Sequence, residues 1–473
     1  MDTIAAIAAG GSAPSAIGVI RVSGPDCFAV CGRVFRAGKP FGELEPRKMV
    51  LGEVLDAGGR VIDHALAVRF PAPHSYTGED SAELHCHGSP VVLRETLAAL
   101  FAAGAAGGVP VRQAGPGEFT KRAFLSGRMD LTQAEAVIDL IDAENAAAAR
   151  NAAAQLDGGL RKRLEPVQEA LLEITSRFYA VVDYPDEDIE DAGPEETAAA
   201  LRDAEEMLAA LLDTCQRGRV LKRGVRTAIV GLPNAGKSSL LNALAGYERA
   251  IVTDVPGTTR DTVEESVLCG GVLLRLIDTA GLRETEDTVE KLGVERSRQA
   301  MEAADLILLV EDSSVEMCPG NKEHWEKVFY LLHEVADTGK PWINVHSKCD
   351  LSNIWACSSG FIGRGANNPS ATVCVSALTG KGLDRLEKAV ADLFPPGAPE
   401  EMGSLLTDQR QEEAAGRARA AVLRALEALE GGLTPDAVLT DAEEALEALG
   451  ELTGRTAKEE IVARIFSRFC VGK

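Results

Sequence analysis

One stretch, Gly231-Leu-Pro-Asn-Ala-Gly-Lys-Ser-Ser-Leu-Leu-Asn242, carries the clearest chemistry in the chain. Its glycines let successive backbone N–H groups curl around phosphate oxygens, Lys237 brings a cation to the outer phosphates, and the Ser238 hydroxyl suits a Mg²⁺ ion. Asn234, Ala235, Gly236, Lys237, Ser238 and Ser239 are therefore candidate nucleotide contacts. The apolar run at 227–230 before the loop, and Leu240, Leu241 and Leu244 after it, predict strand, glycine loop and helix. That order is the context a phosphate-binding loop requires.

Further motifs follow in sequence. Asp278-Thr279-Ala280-Gly281 ends a predicted strand at 273–277, placing a carboxylate beside the Mg²⁺ shell and an N–H near a γ-phosphate. The polar turn at 253–261 offers Thr253, Thr258 and Thr259, of which Thr258 or Thr259 could complete the metal shell. Ser347-Lys348-Cys349-Asp350 puts a carboxylate where guanine presents two N–H donors, and Ser376-Ala377-Leu378 matches a second base-contacting loop. Together these motifs select a GTP hydrolase over a generic ATPase. Two departures stand out. The guanine motif opens with Ser347 instead of Asn, which predicts retained guanine preference and binding weaker by about 1 kcal/mol for one lost hydrogen bond. Leu282 follows Gly281 where a glutamine would orient water, so hydrolysis should be slow until something completes the site. Arg260, Arg283, Glu284, Glu286, Asp287 and Glu290 are the nearby candidates.

The elements that position these loops can be read along the chain. Its 473 residues allow several domains, and 4% aromatic content with abundant Ala favours helices. A net charge of −23 excludes nucleic-acid binding driven by overall charge, so RNA contact must come from a local patch or a partner. Ten cysteines show no metal-ligand spacing, and no long apolar span or leader is visible, which predicts a reduced cytoplasmic protein without a membrane segment.

Residues 1–118 read as a compact α+β domain with strands at 3–7, 17–22, 49–54 and 65–70 and a helix at 91–101. The polar stretches at 74–88 and 117–124 read as turns and helix caps. Residues 119–219 are helical, 220–394 form the GTPase module with a loop-like insert at 352–370, and helices resume at 405–429, 436–449 and 457–469 within 395–473. Each helical block alone offers amphipathic faces without a closed core. The fold class is therefore multidomain α+β and α/β, with a Ras-like P-loop GTPase domain inserted into an all-α helical domain.

Over nearly its whole length the chain resembles the MnmE/TrmE family of tRNA modification GTPases. The resemblance rests on Gly18-Val-Ile-Arg-Val-Ser-Gly24, Ser75-Tyr-Thr-Gly-Glu-Asp80, Gly117-Glu-Phe-Thr-Lys-Arg-Ala-Phe-Leu125, Asp130-Leu-Thr-Gln-Ala-Glu-Ala136, the nucleotide motifs, and Phe466-Ser-Arg-Phe-Cys-Val-Gly-Lys473. It implies that the N-terminal domain forms a homodimer and binds a 5-formyl- or methylene-tetrahydrofolate through Arg21, Glu83, Arg128 and Lys473. Arg128 stands where Lys is common, and Ala9-Gly-Gly-Ser-Ala-Pro14 lacks the Pro-Pro-Gly-Arg-Gly pattern usual there.

The same resemblance assigns Cys470 to the modification chemistry and Glu290 to positioning water. It gives Asn234, Thr253, Val255 and Thr258 as K⁺ ligands and Ser238 and Thr259 as Mg²⁺ ligands. It implies an FAD-dependent partner of the MnmG or GidA type in a heterotetramer, with tRNA as substrate at the wobble uridine. A regulatory or ribosome-assembly GTPase would share the nucleotide motifs without the Cys470-Val-Gly-Lys473 ending, and a non-catalytic scaffold would release no phosphate.

Overall fold

The computed structural model describes residues 2–183, 193–247, 265–277, 290–315, 319–351, 368–395 and 402–472, with side chains omitted at 180–183, 247, 290–296, 319 and 435. The chain divides into two units, Met1–Ile138 with Leu439–Lys473, and Asp139–Val438.

The first unit is built on a seven-stranded sheet of β1 (Thr3–Ala9), β2 (Ser15–Ser23), β3 (Phe35–Arg36), β4 (Val50–Leu55), β5 (Val61–Phe70), β6 (Ser81–Gly88) and β7 (Val111–Gln113). The strands lie in the order β3-β4-β5-β6-β2-β1-β7, antiparallel except for the parallel β1–β7 pair. Helices α1 (Cys27–Val34) and α2 (Pro90–Ala106) share one core with the sheet, where Val30, Cys31, Leu93 and Leu100 meet Ile20, Val22 and Leu84.

Residues 74–79 are bends as read, but strand β6 corrects the reading of residues 81–88 as turns and caps. Ala82, Leu84 and Cys86 are buried, while Glu83, His85 and His87 alternate toward the open side. This is the period-two pattern of a half-solvated antiparallel strand, masked in the sequence by its polar members.

Two short helices, α3 (Glu118–Leu125) and α4 (Leu131–Ile141), follow the sheet. In the second unit come α5 (Ala146–Leu156), α6 (Gly159–Asp183), α7 (Pro194–Leu212) and α8 (Cys215–Arg223). The Asn145 side chain caps α5 by accepting from the Ala148 N–H at 2.7 Å, satisfying a donor that the first turn leaves open.

The nucleotide module then runs through β8 (Val225–Val230), α9 (Lys237–Tyr247), β9 (Glu265–Cys269), β10 (Val272–Leu276), α10 (Glu290–Ala303), β11 (Leu306–Asp312), α11 (Lys322–Asp337), β12 (Trp342–Ser347), β13 (Ala371–Cys374) and α12 (Leu383–Leu393). Its six-stranded sheet has the order β13-β12-β11-β8-β10-β9, parallel except for the β9–β10 pair. Apolar layers cover both faces, with Leu308 and Val310 in one and Ile307 and Leu309 in the other. Burial on both faces explains why β11 reads as a continuous apolar run. Cys374 is disulfide-bonded.

The chain next enters α13 (Gln409–Glu430), α14 (Pro435–Thr453) and α15 (Glu459–Phe466). Residues 405–407, expected to be helical, are irregular instead. Gln155 Nε2 donates to the Leu405 carbonyl at 2.7 Å, Thr214 Oγ1 accepts from the Leu406 N–H, and Gln411 Oε1 accepts from the Thr407 N–H. Buried side-chain partners thus replace the helical ladder, a tertiary override of local periodicity. Lys222 at the end of α8 bonds Asp139 at 2.8 Å and Asp408 at 3.2 Å, drawing together the segments on either side of the module. Arg275 of β10 reaches Glu144 at 2.8 Å from within it.

Candidate functional site

The phosphate loop connects β8 to α9, as the apolar runs around it predict. Gly231 sits under the Val310 carbonyl, where an added Cβ would lie 2.3 Å from the oxygen, and Gly236 adopts φ +98°, a conformation that L side chains rarely adopt. The Gly236 carbonyl accepts from the Leu240 N–H at 2.9 Å as the helix begins. Lys237 donates to the carbonyls of Gly231 and Leu232 at 2.8 and 2.9 Å, so its ammonium is held inside the loop. Burial pushes its pKa below the ordinary lysine value. Asn234 is exposed on the loop, Ser238 and Ser239 are exposed in the first turn of α9, and Ala235 is buried. A backbone cradle at a helix N-terminus, shaped by two glycines and one inward lysine, fits a triphosphate.

The guanine-side motifs converge on this loop. The Ser347 hydroxyl donates toward the Ala235 carbonyl at 2.5 Å and the Glu311 carbonyl at 3.1 Å. It therefore retains a brace on the phosphate loop, although one proton must serve two acceptors. Lys348, at φ +53°, spans the Asn234 carbonyl at 2.8 Å and Asp312 at 2.6 Å. Cys349 N–H donates to the Val375 carbonyl at 3.3 Å, which ties this motif to the strand end before Ser376. Asp350 is exposed, Ser376 is fully buried, Ala377 is half-buried and Leu378 is 87% exposed.

Beneath Ser347 lies a polar cluster that sequence spacing did not reveal. Glu311 and Asn344 are 7% and 6% exposed, and each has one side-chain oxygen without a hydrogen-bond partner among the described residues. His346 Nδ1 approaches Glu311 at 3.4 Å. Burial raises the Glu311 carboxyl above its ordinary range, partly offset by a hydrogen bond from Asn344, and burial lowers His346. Both shifts favour the neutral forms, so the contact is better described as a buried acid beside a neutral imidazole than as an ion pair.

The first unit gathers a second group of candidates. Arg21 of β2 donates to Glu83 of β6 at 2.8 and 3.0 Å, and the two residues are register partners on neighbouring strands. The guanidinium stands over the rings of Tyr76 and Phe119 at 5.5 and 5.6 Å, and Glu83 also faces His85 at 3.2 Å. The C-terminal segment reaches the same place: Arg21 Nη1 is 3.5 Å from the Gly472 carbonyl, Val471 forms a bridge with Pro116, and Gly117 N–H donates to the Cys470 carbonyl at 3.3 Å. Cys470 is exposed. Arg128 is exposed and packs its stem against Gly78.

Beside this group Arg122, only 5% exposed, binds Asp2, Glu79 and Glu118 at 2.8, 3.1 and 3.0 Å. Burial alone would raise the Glu118 carboxyl, but hydrogen bonds from Arg112, the Gly115 N–H and Arg122 hold it at about 2.

Family models match both parts of the chain, as the MnmE helical domain over residues 131–470 and as the GTP-binding protein TrmE N-terminus over residues 3–128. The chain is also similar to proteins named tRNA modification GTPase MnmE. It is 42% identical to that of Akkermansia muciniphila over 97% of this chain and 96% of the relative. It is 43% identical to that of Symbiobacterium thermophilum over 100% and 99%, and 43% to that of Thermus thermophilus over 97% and 96%. The chain belongs to the MnmE family of tRNA modification GTPases.

As expected for an MnmE-family chain, a TrmE-type N-terminal domain, a helical domain and a P-loop GTPase domain are present. Thr253, Val255, Thr258, Thr259, Asp278, Thr279, Ala280, Gly281, Leu282 and Lys473 lie outside the described residues, as do Arg260, Arg283, Glu284, Glu286 and Asp287. Glu290 opens α10 in the backbone, and its side chain is likewise outside them. Tyr76, Phe119 and Glu79 surround the Arg21 and Arg122 groups without having been singled out by spacing. Only their membership of the family motifs marks them. No helix among the described residues is long and apolar enough to cross a membrane.

Proposed function

We propose that this GTPase is stimulated by K⁺ and by pairing of two copies. With an FAD-dependent partner of the MnmG or GidA type, in a heterotetramer, it installs an aminomethyl or carboxymethylaminomethyl group at C5 of the tRNA wobble uridine. The observation that carries this reading is the coexistence of a braced phosphate loop with a C-terminal thiol segment stitched to the Arg21–Glu83 group.

In this reading Lys237 and the loop amides bind the β- and γ-phosphates, Asp350 and the Ser376-Ala377-Leu378 loop select guanine, and Ser347 braces the cradle. Ser238 and Thr259 hold Mg²⁺, which offsets phosphate charge when bound. Asn234, with Thr253, Val255 and Thr258, holds K⁺, which supplies the positive charge that an arginine finger supplies elsewhere. Glu290 positions water in place of the glutamine that Leu282 replaces. Arg21, Glu83, Arg128 and Lys473 hold a 5-formyl- or methylene-tetrahydrofolate. A guanidinium, a carboxylate and the exposed Tyr76 ring suit a polar heteroaromatic ring. Cys470 serves the one-carbon chemistry from the adjoining tail. The domain limits 1–118, 119–219, 220–394 and 395–473 belong to the same proposal, as does a cytoplasmic location.

Phosphate release by the full chain should rise strongly when Na⁺ is exchanged for K⁺ and should fall on extreme dilution. Equal rates in both salts at every concentration would defeat the potassium and dimer parts. Mass spectrometry of wobble nucleosides from cells lacking the chain should show the modification restored by wild type and not by Cys470→Ser. Full restoration by that variant would remove Cys470 from the chemistry.

A further inference from the structure

A chain with 72 acidic and 49 basic side chains repels a polyanion overall, so an RNA-binding member needs a local surface where cations are not already neutralised. Most prominent cations here are spent on carboxylates. Arg21, Arg122, Lys222 and Arg275 each pair with one or more acids.

The C-terminal segment differs. Between Arg455 and Lys473 five cations face two carboxylates, Glu459 and Glu460. Arg455, Lys458, Arg464 and Arg468 are all exposed, and none has an acidic partner among the described residues. The placement of Arg464 and Arg468 follows from α15 and the turn after it. Val462 and Phe466 of α15, and Phe469 just beyond it, turn inward against Leu131 and Ala134, which leaves Arg464 on the helix and Arg468 in the turn after it on the solvent side. Two residues beyond Arg468 the tail presents exposed Cys470, held by the Gly117 and Pro116 backbone.

We infer that the solvent side of α15 and of the turn after it, centred on Arg464 and Arg468, docks the phosphate backbone of the substrate tRNA and thereby brings a base to Cys470. This rests on the proposed role in wobble-uridine modification and deepens it. Unpaired guanidinium groups suit phosphate oxygens, because they offer planar, bidentate donors without first breaking an existing ion pair. A rival cationic surface exists at Arg161 and Lys162 in the first turn of α6, also exposed. It lacks the adjoining thiol.

The test is tRNA binding by the full-length chain, followed by fluorescence anisotropy over a series of KCl concentrations. Arg464→Gln/Arg468→Gln should weaken binding about tenfold at low salt and flatten the salt dependence by roughly 1.5 in logarithmic slope. Arg464→Lys/Arg468→Lys should recover most of the affinity because the charge returns. Thermal unfolding of both variants should match wild type, since both side chains are exposed and neither makes an ion pair among the described residues. Unchanged affinity in the glutamine variant, equal loss in the lysine variant, no tRNA retention by wild type, or loss only in Arg161→Gln/Lys162→Gln would each overturn the inference. The failure of this surface is separable from failure of the broader reading, because wobble nucleosides measured in cells report modification independently of where tRNA docks.

Discussion

The phosphate loop of the second unit and the Arg21–Arg122 region of the first are built on opposite plans. The loop is made from consecutive residues whose backbone forms most of the cradle, with one inward lysine. The other region is assembled from groups scattered between positions 2 and 472, mostly side chains in which charge offsets charge. A contiguous cradle depends on local conformation, whereas a scattered one depends on the whole sheet and tail arriving together.

That contrast can be broken at several points. Replacing Arg122 by Met should have the largest effect, because Asp2, Glu79 and Glu118 lose a buried counter-charge. We expect a loss of about 4 kcal/mol in unfolding free energy, read from denaturant melts. Phosphate-loop chemistry should stay intact in any fraction that remains folded. Lys237→Ala should do the reverse, lowering GTP turnover by about 10²–10³, or roughly 3–4 kcal/mol, with little change in melting. If both variants lost stability equally, the two plans would not be separable.

Glu311 sharpens the comparison through pH. Its carboxyl lies above the ordinary range in the folded chain, so its stabilising contribution is complete below the unfolded carboxylate range and declines as pH rises through the raised value. Glu311→Gln keeps the shape and cannot ionise. It should remove that decline, leaving the variant more stable than wild type at pH 8 relative to pH 5, seen in melts at the two pH values. A wild type and variant with parallel pH profiles would show that Glu311 does not titrate there. The smallest effect belongs to Ser347→Ala, which deletes one hydroxyl brace on Ala235. GTP affinity should fall by about 1 kcal/mol, measured by nucleotide titration, without a change in guanine preference.

The difference between the two regions also decides what the sequence could disclose. The nucleotide loop, the parallel strands and the motif order were legible because glycine spacing and apolar runs are local signals. The Ser347 brace was not, since a serine hydroxyl reaches the Ala235 carbonyl only because β12 ends beside the loop. Strand β6 was obscured by Glu83, His85 and His87, which are polar because one side of an antiparallel sheet stays open. The irregular turn at 405–407 depends on Gln155 and Thr214, nearly two hundred or more residues away, a relation no window of sequence contains. Arg21 and Gly472 are 451 positions apart, and only likeness to a family grouped Arg21 with the neighbouring Lys473 in advance.

Lys222 gathers Asp139 and Asp408 onto one ammonium, and in doing so places the entrance and exit of the nucleotide module side by side. A segment inserted through such a narrow neck is a natural candidate for excision. Bridged by a short linker, the surrounding helices should close on themselves, and a foreign domain with neighbouring termini could be grafted into the gap.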